Sequence, residues 1–382
     1  MQKKRTLLFF FCACSLYFVT HFLNRNNMGN QTHFTPLSTL PIPLYLGQCV
    51  AYKQEVLICG GVCKGDCYSY HTLKNEYKHV CSYPSDTKLF GHCVVRLAND
   101  NKDTDKDEVV LLSFGGERKH TLMMKYVSVW DETIEKSEHC NKWLPFTDMH
   151  NQVLCIGRSK DDYRGVRAVL GGSENHLLFI TYFPNNIDVF DVTTFQYVKH
   201  DILPTDGNYW IWYHCFVSKS TNAKKDLKKR GTEMVLFCEN RGLSIEYDED
   251  NNTFRFRKLP VCDSISPLNK CAYVRIHDVI LFFGGDSHRN GTSKAVHKYS
   301  IKDSKWITFP HSLPTPLYGC VAVLSEDDAC VHILGGKNRQ MEEVSTHTKA
   351  NVHYWLSEKE MQRWRLLHAH NKNEKEEEEE EE

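Results

Sequence analysis

Short apolar segments recur along this chain between polar stretches, a pattern typical of β-strands. Four of them end in a glycine pair and lie at residues 56–61, 111–116, 280–285 and 331–336. Gly61 and Gly116 are 55 residues apart, and Gly285 and Gly336 are 51 apart. The interval of 169 residues between Gly116 and Gly285 has room for two more repeats of similar length. The pattern therefore predicts six repeats of about fifty residues each.

The two repeats inside that interval have the apolar strand without the terminal glycines. One strand covers residues 175–182, and the other covers residues 234–238 and is followed by Glu239 and Asn240. In every repeat another apolar strand comes before this one, and two aromatic-rich strands follow it. Gly171 and Gly172 fall after the first strand of their repeat, so they predict a hairpin turn there. Four short strands per repeat indicate a radial array of sheets.

This pattern resembles the Kelch-type β-propeller over residues 34–356, with the later aromatics Trp143 and Trp306 near the ends of their repeats. The motif glycines are Gly60, Gly61, Gly115, Gly116, Gly284, Gly285, Gly335 and Gly336. The resemblance implies an all-β, six-bladed Kelch-like propeller that binds protein partners through its blade loops. We expect no enzymatic activity and no cofactor. The alternative is a propeller-based enzyme of galactose-oxidase-like or sugar-processing type, which needs converging ligands that the sequence does not assemble.

A leucine or tyrosine followed by proline recurs once per repeat and predicts the connections between blades, since proline cannot donate to a ladder hydrogen bond. These dipeptides begin at Leu40, Tyr83, Leu144, Leu203, Leu259 and Leu313. The first precedes the first blade and none follows the sixth, and residues 40–45 closely match residues 313–318. Residues 34–37 are therefore predicted to form the outer strand of the last blade and to close the ring.

The two ends of the chain differ from the repeats. Residues 1–28 form an apolar N-terminal segment, in which residues 6–23 contain no Asp, Glu, Lys or Arg and follow three basic residues. An uncleaved signal anchor that fixes the protein to a membrane is favoured there, with a cleaved signal and a cytoplasmic protein as alternatives. Ser357 and Glu360 form a capping box that predicts a short helix over residues 357–368. The acidic residues 369–382 are predicted to be a disordered tail.

Sixteen cysteines and twenty histidines offer candidate metal ligands, and their positions argue against a site. The following five cysteines recur in inner strands and are interpreted as equivalent, buried, reduced thiols: Cys49, Cys93, Cys215, Cys271 and Cys320. Cys59, Cys63 and Cys67 lack the spacing of a zinc site. The histidines are scattered, among them His120, His139 and His150. Asp161 and Asp162 are a further acidic pair, and the acidic residues 99–108 are interpreted as a solvated loop, with weak cation binding as the alternative.

The net charge of −1 offers no general attraction for nucleic acid. One loop, residues 219–230, concentrates positive charge between the first two strands of the fourth repeat. Its candidate partner-binding residues are Lys224, Lys225, Lys228, Lys229 and Arg230. The loop lacks the interleaved aromatics that stack on RNA bases, so RNA is not an expected partner. It is interpreted as a solvated insertion, with an arm for an acidic partner as the alternative; the chain's own acidic tail is one candidate for that partner.

Overall fold

The computed structural model describes residues 33–97, 108–131, 139–205, 210–219, 231–325 and 329–366. Six four-stranded antiparallel sheets form the blades of a β-propeller. The first strand of each blade is innermost, and the inner strands of neighbouring blades contact one another around a central channel. The predicted all-β, six-bladed propeller is confirmed.

The first three blades follow one another along the chain with the same up-and-down strand order. Blade one contains Cys49–Tyr52, Glu55–Gly61, Lys64–His71 and Glu76–Ser82. Blade two contains His92–Arg96, Glu108–Gly115, His120–Val127 and Leu144–Pro145. Blade three contains Asp162–Gly171, Leu177–Phe183, Asn186–Asp191 and Gln196–Ile202.

The last three blades repeat this order, with an additional small hairpin in blade five. Blade four contains Cys215–Ser218, Gly231–Cys238, Arg241–Asp248 and Thr253–Leu259. Blade five contains Ala272–Ile276, Val279–Phe283, Val296–Ser300 and Lys305–Thr308, with the hairpin Asp286–Ser287 and Gly291–Thr292. Blade six contains Val321–Leu324, Cys330–Leu334 and His347–Asn351.

The ring closes through an N-terminal strand, as predicted. The strand Thr35–Pro36 pairs antiparallel with His347–Asn351 and completes blade six. The preceding Phe34 is 2% exposed and packs against Phe283 and Trp355, with ring centroids 6.3 and 5.7 Å away. The closing strand is short, and its buried aromatic neighbour anchors it by apolar burial.

The glycine pairs receive the connection that enters the next blade. Gly336 N–H donates to the carbonyl of Leu44 at 2.6 Å, and Gly285 N–H donates to that of Leu317 at 2.8 Å. A Cβ on Gly284 would lie 2.1 Å from the Leu317 oxygen, so any side chain there would collide with the backbone. The glycines therefore permit close backbone packing between blades.

A short helix follows the propeller and covers residues 358–366 of the described chain. Its predicted capping box is confirmed: Ser357 N–H donates to Glu360 Oε2 at 2.6 Å, and Glu360 N–H donates to Ser357 Oγ at 3.4 Å. Lys298 of blade five, 5% exposed, pairs with Glu360 at 2.8 Å. Arg363 pairs with Asp278 at 2.7 Å, and these two ion pairs hold the helix on the propeller.

Two details differ from the sequence prediction. Leu144 and Pro145 are themselves the outer strand of blade two, since proline at a sheet edge needs no partner for its missing N–H. The five cysteines are not equivalent. Cys49 pairs with Ile58, two residues before a motif glycine, whereas Cys93 pairs with Phe114, one residue before a motif glycine.

The predicted turn at Gly172 is confirmed, because the neighbouring strands end at Gly171 and begin at Leu177.

The chain divides into two compact units, Met1–His33 and Phe34–Glu382. The predicted anchor at residues 6–23 and the acidic tail lie outside the described residues. Within the residues that are described, no helix has the length and apolar character needed to cross a membrane.

Candidate functional site

A ring of left-handed residues surrounds one end of the central channel, at the entrance to each inner strand. The six residues, one per blade, are Leu46, Gly91, Gly165, Tyr213, Lys270 and Gly319, with φ between 49° and 74°. Since each inner strand begins here and each second strand ends here, the glycine pairs lie at the same end of the propeller. We call this end the channel mouth.

Backbone hydrogen bonds between blades join members of this ring. Leu46 N–H donates to the Gly319 carbonyl at 2.9 Å, and Gly319 N–H donates to that of Lys270 at 2.8 Å. On the other side, Tyr213 N–H donates to Gly165 at 3.2 Å and Gly165 N–H donates to Gly91 at 2.8 Å. The side chains of Tyr213 and Lys270 are therefore placed by rigid, interblade backbone structure.

Aromatic side chains line the mouth. Tyr45, Tyr213 and Tyr318 form one cluster with Leu46 and are each less than 10% exposed. Tyr45 and Tyr318 meet edge to face at 5.7 Å between ring centroids. Burial raises the pKa of Tyr45 above its usual range, so its hydroxyl stays protonated and acts as a hydrogen-bond donor.

Lys270 lies among these rings. Its Nζ is 5.2 Å from the Tyr213 ring centroid and 5.9 Å from that of Tyr318. Burial lowers the pKa of Lys270, while Asp286 opposes the shift and Lys337 reinforces it. Among the described residues, no carboxylate forms an ion pair with Lys270. A half-buried cation with a perturbed pKa that forms no ion pair among the described residues is typical of a functional site.

A small cleft extends from the mouth between blades four and five. Glu239, Asn269 and Lys270 line its polar part, and Phe282 and Trp306 lie among its apolar residues. Glu239 occupies the place where other blades have a glycine pair, and it has a φ of 50°. Its carboxylate accepts a hydrogen bond from Asn269 Nδ2 at 3.2 Å. The cleft thus brings an acid and a perturbed lysine together against an apolar wall.

An aromatic surface adjoins this cleft on the side of blade three. Phe183 stacks on Trp212 at 5.0 Å between centroids, and Trp210 lies 5.3 Å from Phe183. Trp210 is 55% exposed. The Trp212 indole N–H is buried without a hydrogen-bond partner among the described residues. The surface offers flat apolar rings.

The candidate residues named from the sequence lie in different parts of the chain. The motif glycines lie at the mouth end, where they support blade packing. Residues 220–230, which include Lys224, Lys225, Lys228, Lys229 and Arg230, lie outside the described chain. Lys219 and Gly231 flank that loop at the end of blade four away from the mouth. The binding of an acidic protein by this loop stays a prediction.

The histidines and acids named from sequence do not converge. His139 and His150 are exposed, and Ser113 Oγ lies 2.8 Å from Nε2 of the partly buried His120. Asp161 accepts a hydrogen bond from Arg158 N–H, and Asp162 pairs with Arg164. These side chains stabilise loops and strands.

The cysteine cluster of blade one has a structural role. Cys59 and Cys67 are buried opposite each other, and Trp143 of blade two donates its indole N–H to Cys67 Sγ at 3.3 Å. Within the described part of the chain, no group of three or more His, Cys, Asp or Glu residues is placed to hold a metal ion.

The chain was compared with known proteins. No protein-family model and no curated protein matches it. Among solved structures it is similar to YjhT, with 13% identity and a TM-score of 0.55, over 83% of this chain and 97% of that one. It is also similar to a fungal alcohol oxidase of the AA5 family in complex with copper, with 10% identity and a TM-score of 0.48, over 83% of this chain and 64% of the oxidase. At these identities the matches show the propeller fold and assign no activity.

The prediction that the chain is not an enzyme is not upheld, because the similarity to solved structures at these identities shows a fold and excludes no activity. The lack of a familiar catalytic motif in the sequence is therefore no ground for excluding catalysis. Copper is bound by several converging protein ligands. The described residues do not provide such a set, and we derive no step through copper.

Sequence analysis did not identify the ring residues, and it noted Glu239 only as a departure from the glycine pair. Three repeats have glycine at the ring position, namely Gly91, Gly165 and Gly319, and this spacing was available as a signal. Tyr213 and Lys270 become visible as departures from that pattern only when the entrances to the inner strands are aligned.

Proposed function

We propose that the protein is a sugar-processing enzyme whose substrate, a small polyhydroxylated ring, binds at the channel mouth. The observation that carries this proposal is Lys270, a cation that forms no ion pair among the described residues and lies beside two tyrosine rings at the edge of a cleft. Kelch-type family membership and a protein partner remain predictions of the sequence.

The shape and polarity of the mouth support a sugar-type ligand. A sugar ring has an apolar C–H face and a rim of hydroxyl groups, so it matches an aromatic surface bordered by hydrogen-bonding groups. Trp210 supplies an exposed aromatic face. Glu239 and Lys270 add an acceptor and a charged donor in the same cleft.

The proposed chemistry is acid–base catalysis in this cleft. The Glu239 carboxylate accepts a proton from a substrate hydroxyl, and the Lys270 ammonium stabilises the negative charge that develops on oxygen. Burial of Lys270 strengthens that interaction, because an electrostatic interaction is stronger where water is excluded.

The test is turnover of a panel of neutral, amino and acidic monosaccharides and their glycosides, followed by NMR of the products. We expect at least one substrate to be converted by the wild-type protein. Glu239→Gln should lower kcat by at least about 100-fold, as expected for loss of a general base. Lys270→Arg should retain more activity than Lys270→Met.

The matched control is Glu249→Gln, since Glu249 accepts hydrogen bonds from Ser173 in the turn between the first two strands of blade three, away from the mouth. It should leave turnover unchanged. Absence of both binding and turnover across the panel, in correctly folded protein, would overturn the proposal.

A further inference from the structure

Arg167 is a second cation that forms no ion pair with a carboxylate among the described residues, and it lies on an innermost strand. It belongs to the innermost strand of blade three, Asp162–Gly171, two residues beyond the ring glycine Gly165. Its Nη1 donates to the carbonyl of Val166 at 2.8 Å, and its side chain remains partly exposed. Among the described residues, no Asp or Glu forms an ion pair with it.

The charge of Arg167 reaches side chains from several other blades. Burial raises the pKa of Tyr273 in blade five to about 12, and Arg167 opposes this shift. Burial lowers the pKa of His214, at the entrance to blade four, and Arg167 lowers it further. Burial raises the pKa of Cys93 in blade two to about 11, again against the effect of Arg167. These effects accord with the place of Arg167 on an innermost strand, whose neighbours are the inner strands of blades two and four.

The groups around this guanidinium are uncharged. They are thiols and a phenol with raised pKa values and imidazoles with lowered ones, so none neutralises the arginine. A partly buried charge without a counter-charge is costly, and proteins normally pair it. Arg164 at the mouth illustrates the paired case, since its Nη2 lies 2.5 Å from Asp162 Oδ2.

We propose that Arg167 binds a small oxyanion in the central channel, namely the carboxylate or phosphate group of a small molecule. The planar guanidinium has five N–H donors in a fork that matches both groups, and most of these donors remain available for a ligand. The bound anion supplies the missing counter-charge. This proposal is independent of the sugar-type substrate, because it concerns a different side chain and a different ligand group.

The test measures binding of two probes, inorganic phosphate and acetate, by isothermal titration in a buffer without other oxyanions. Wild-type protein should bind at least one probe. Arg167→Gln should weaken that binding at least 10-fold, and Arg167→Lys should weaken it less, because it keeps the charge but loses the fork. The paired control Arg164→Gln should bind as wild type does.

The pattern of binding identifies the anion: phosphate alone points to a phosphorylated ligand, and acetate alone points to a carboxylic acid. Equal binding by wild type and Arg167→Gln, or no binding of either probe by wild type, would overturn the proposal. If Arg167→Gln does not fold, the comparison between wild type and Arg167→Lys decides, and equal affinities would again overturn it.

Discussion

Tyr213 and Lys270 have left-handed backbone conformations at positions where blades two, three and six carry glycine. Such a conformation costs a non-glycine residue roughly 1–3 kcal/mol and persists where the surrounding structure enforces it. The interblade hydrogen bonds of the ring provide that enforcement. The strain at these two positions is consistent with a binding role for their side chains, since glycine would satisfy the backbone alone.

The first prediction concerns Lys270→Gly. Its free energy of unfolding should stay within about 1 kcal/mol of wild type, because relief of strain offsets the greater freedom of glycine in the unfolded chain. Ligand affinity at the mouth should fall at least 10-fold. Denaturant titration and calorimetric binding measure the two effects.

Lys53→Gly is the matched control for this substitution. Lys53 also has a left-handed φ, 51°, but it lies in the hairpin turn of blade one at the far end of the propeller. The control should leave affinity unchanged. Equal affinity of Lys270→Gly and wild type would mean that the lysine does not take part in binding.

At the scale of elements, the sequence predicted the strands and junctions that recur in each blade, and it did not predict the side chains that differ between blades. The glycine pairs predicted the strands, and the match between residues 40–45 and 313–318 predicted ring closure. Both signals arise from interactions that every blade or junction needs. Glu239 and Lys270 lie in different blades, and their proximity depends on how blades four and five pack together. No spacing along the chain encodes that distance.

The second prediction concerns the docking of one blade on the next. A Cβ on Gly335 would lie 2.3 Å from the Leu44 oxygen, and this glycine has a φ of 62°. Gly335→Ala should therefore lower the free energy of unfolding by about 3 kcal/mol or more, through collision and backbone strain together. Gly291 has a similar φ of 69° with no atom within 4 Å of its Cβ position.

Gly291→Ala is thus the control, since it introduces the strain without the collision. Denaturant titration should show a loss of only about 1 kcal/mol for this variant. If both variants lose the same stability, close packing of the glycine pair against the next blade is unimportant.

At the scale of the whole molecule, buried histidines make the propeller sensitive to acid. Burial lowers the pKa of His92 to about 3, of His297 to about 4 and of His347 to about 2, and places that of His214 well below its usual value. These four side chains are each at most 2% exposed. They are therefore neutral in the folded protein at any pH near neutrality.

The third prediction follows from this neutrality. Below pH 6.5 the unfolded chain binds protons at these histidines and the folded chain does not, so stability is full above 6.5 and falls as the pH is lowered. Each histidine contributes a loss of roughly 1 kcal/mol between pH 7 and 5.5. Urea titrations at several pH values measure this slope.

His297→Gln should reduce the slope by about a fifth, because burial also lowers the pKa of His120 to about 4 and the substitution removes one of five such histidines among the described residues. The exposed His150→Gln should leave the slope unchanged. Stability that is constant between pH 7 and 5.5 would show that the buried imidazoles do not govern the acid response.

The central claim is that ligands bind at the channel mouth, and hydrogen exchange with and without the tightest-binding monosaccharide tests it most directly. The account predicts slower exchange of the interblade amides of Leu46, Tyr213 and Gly319, which join the ring at the mouth. It predicts no change in the hairpins at the far end, such as residues 53–54 and 277–278. Protection confined to those far hairpins, with unchanged exchange at the mouth, would contradict it.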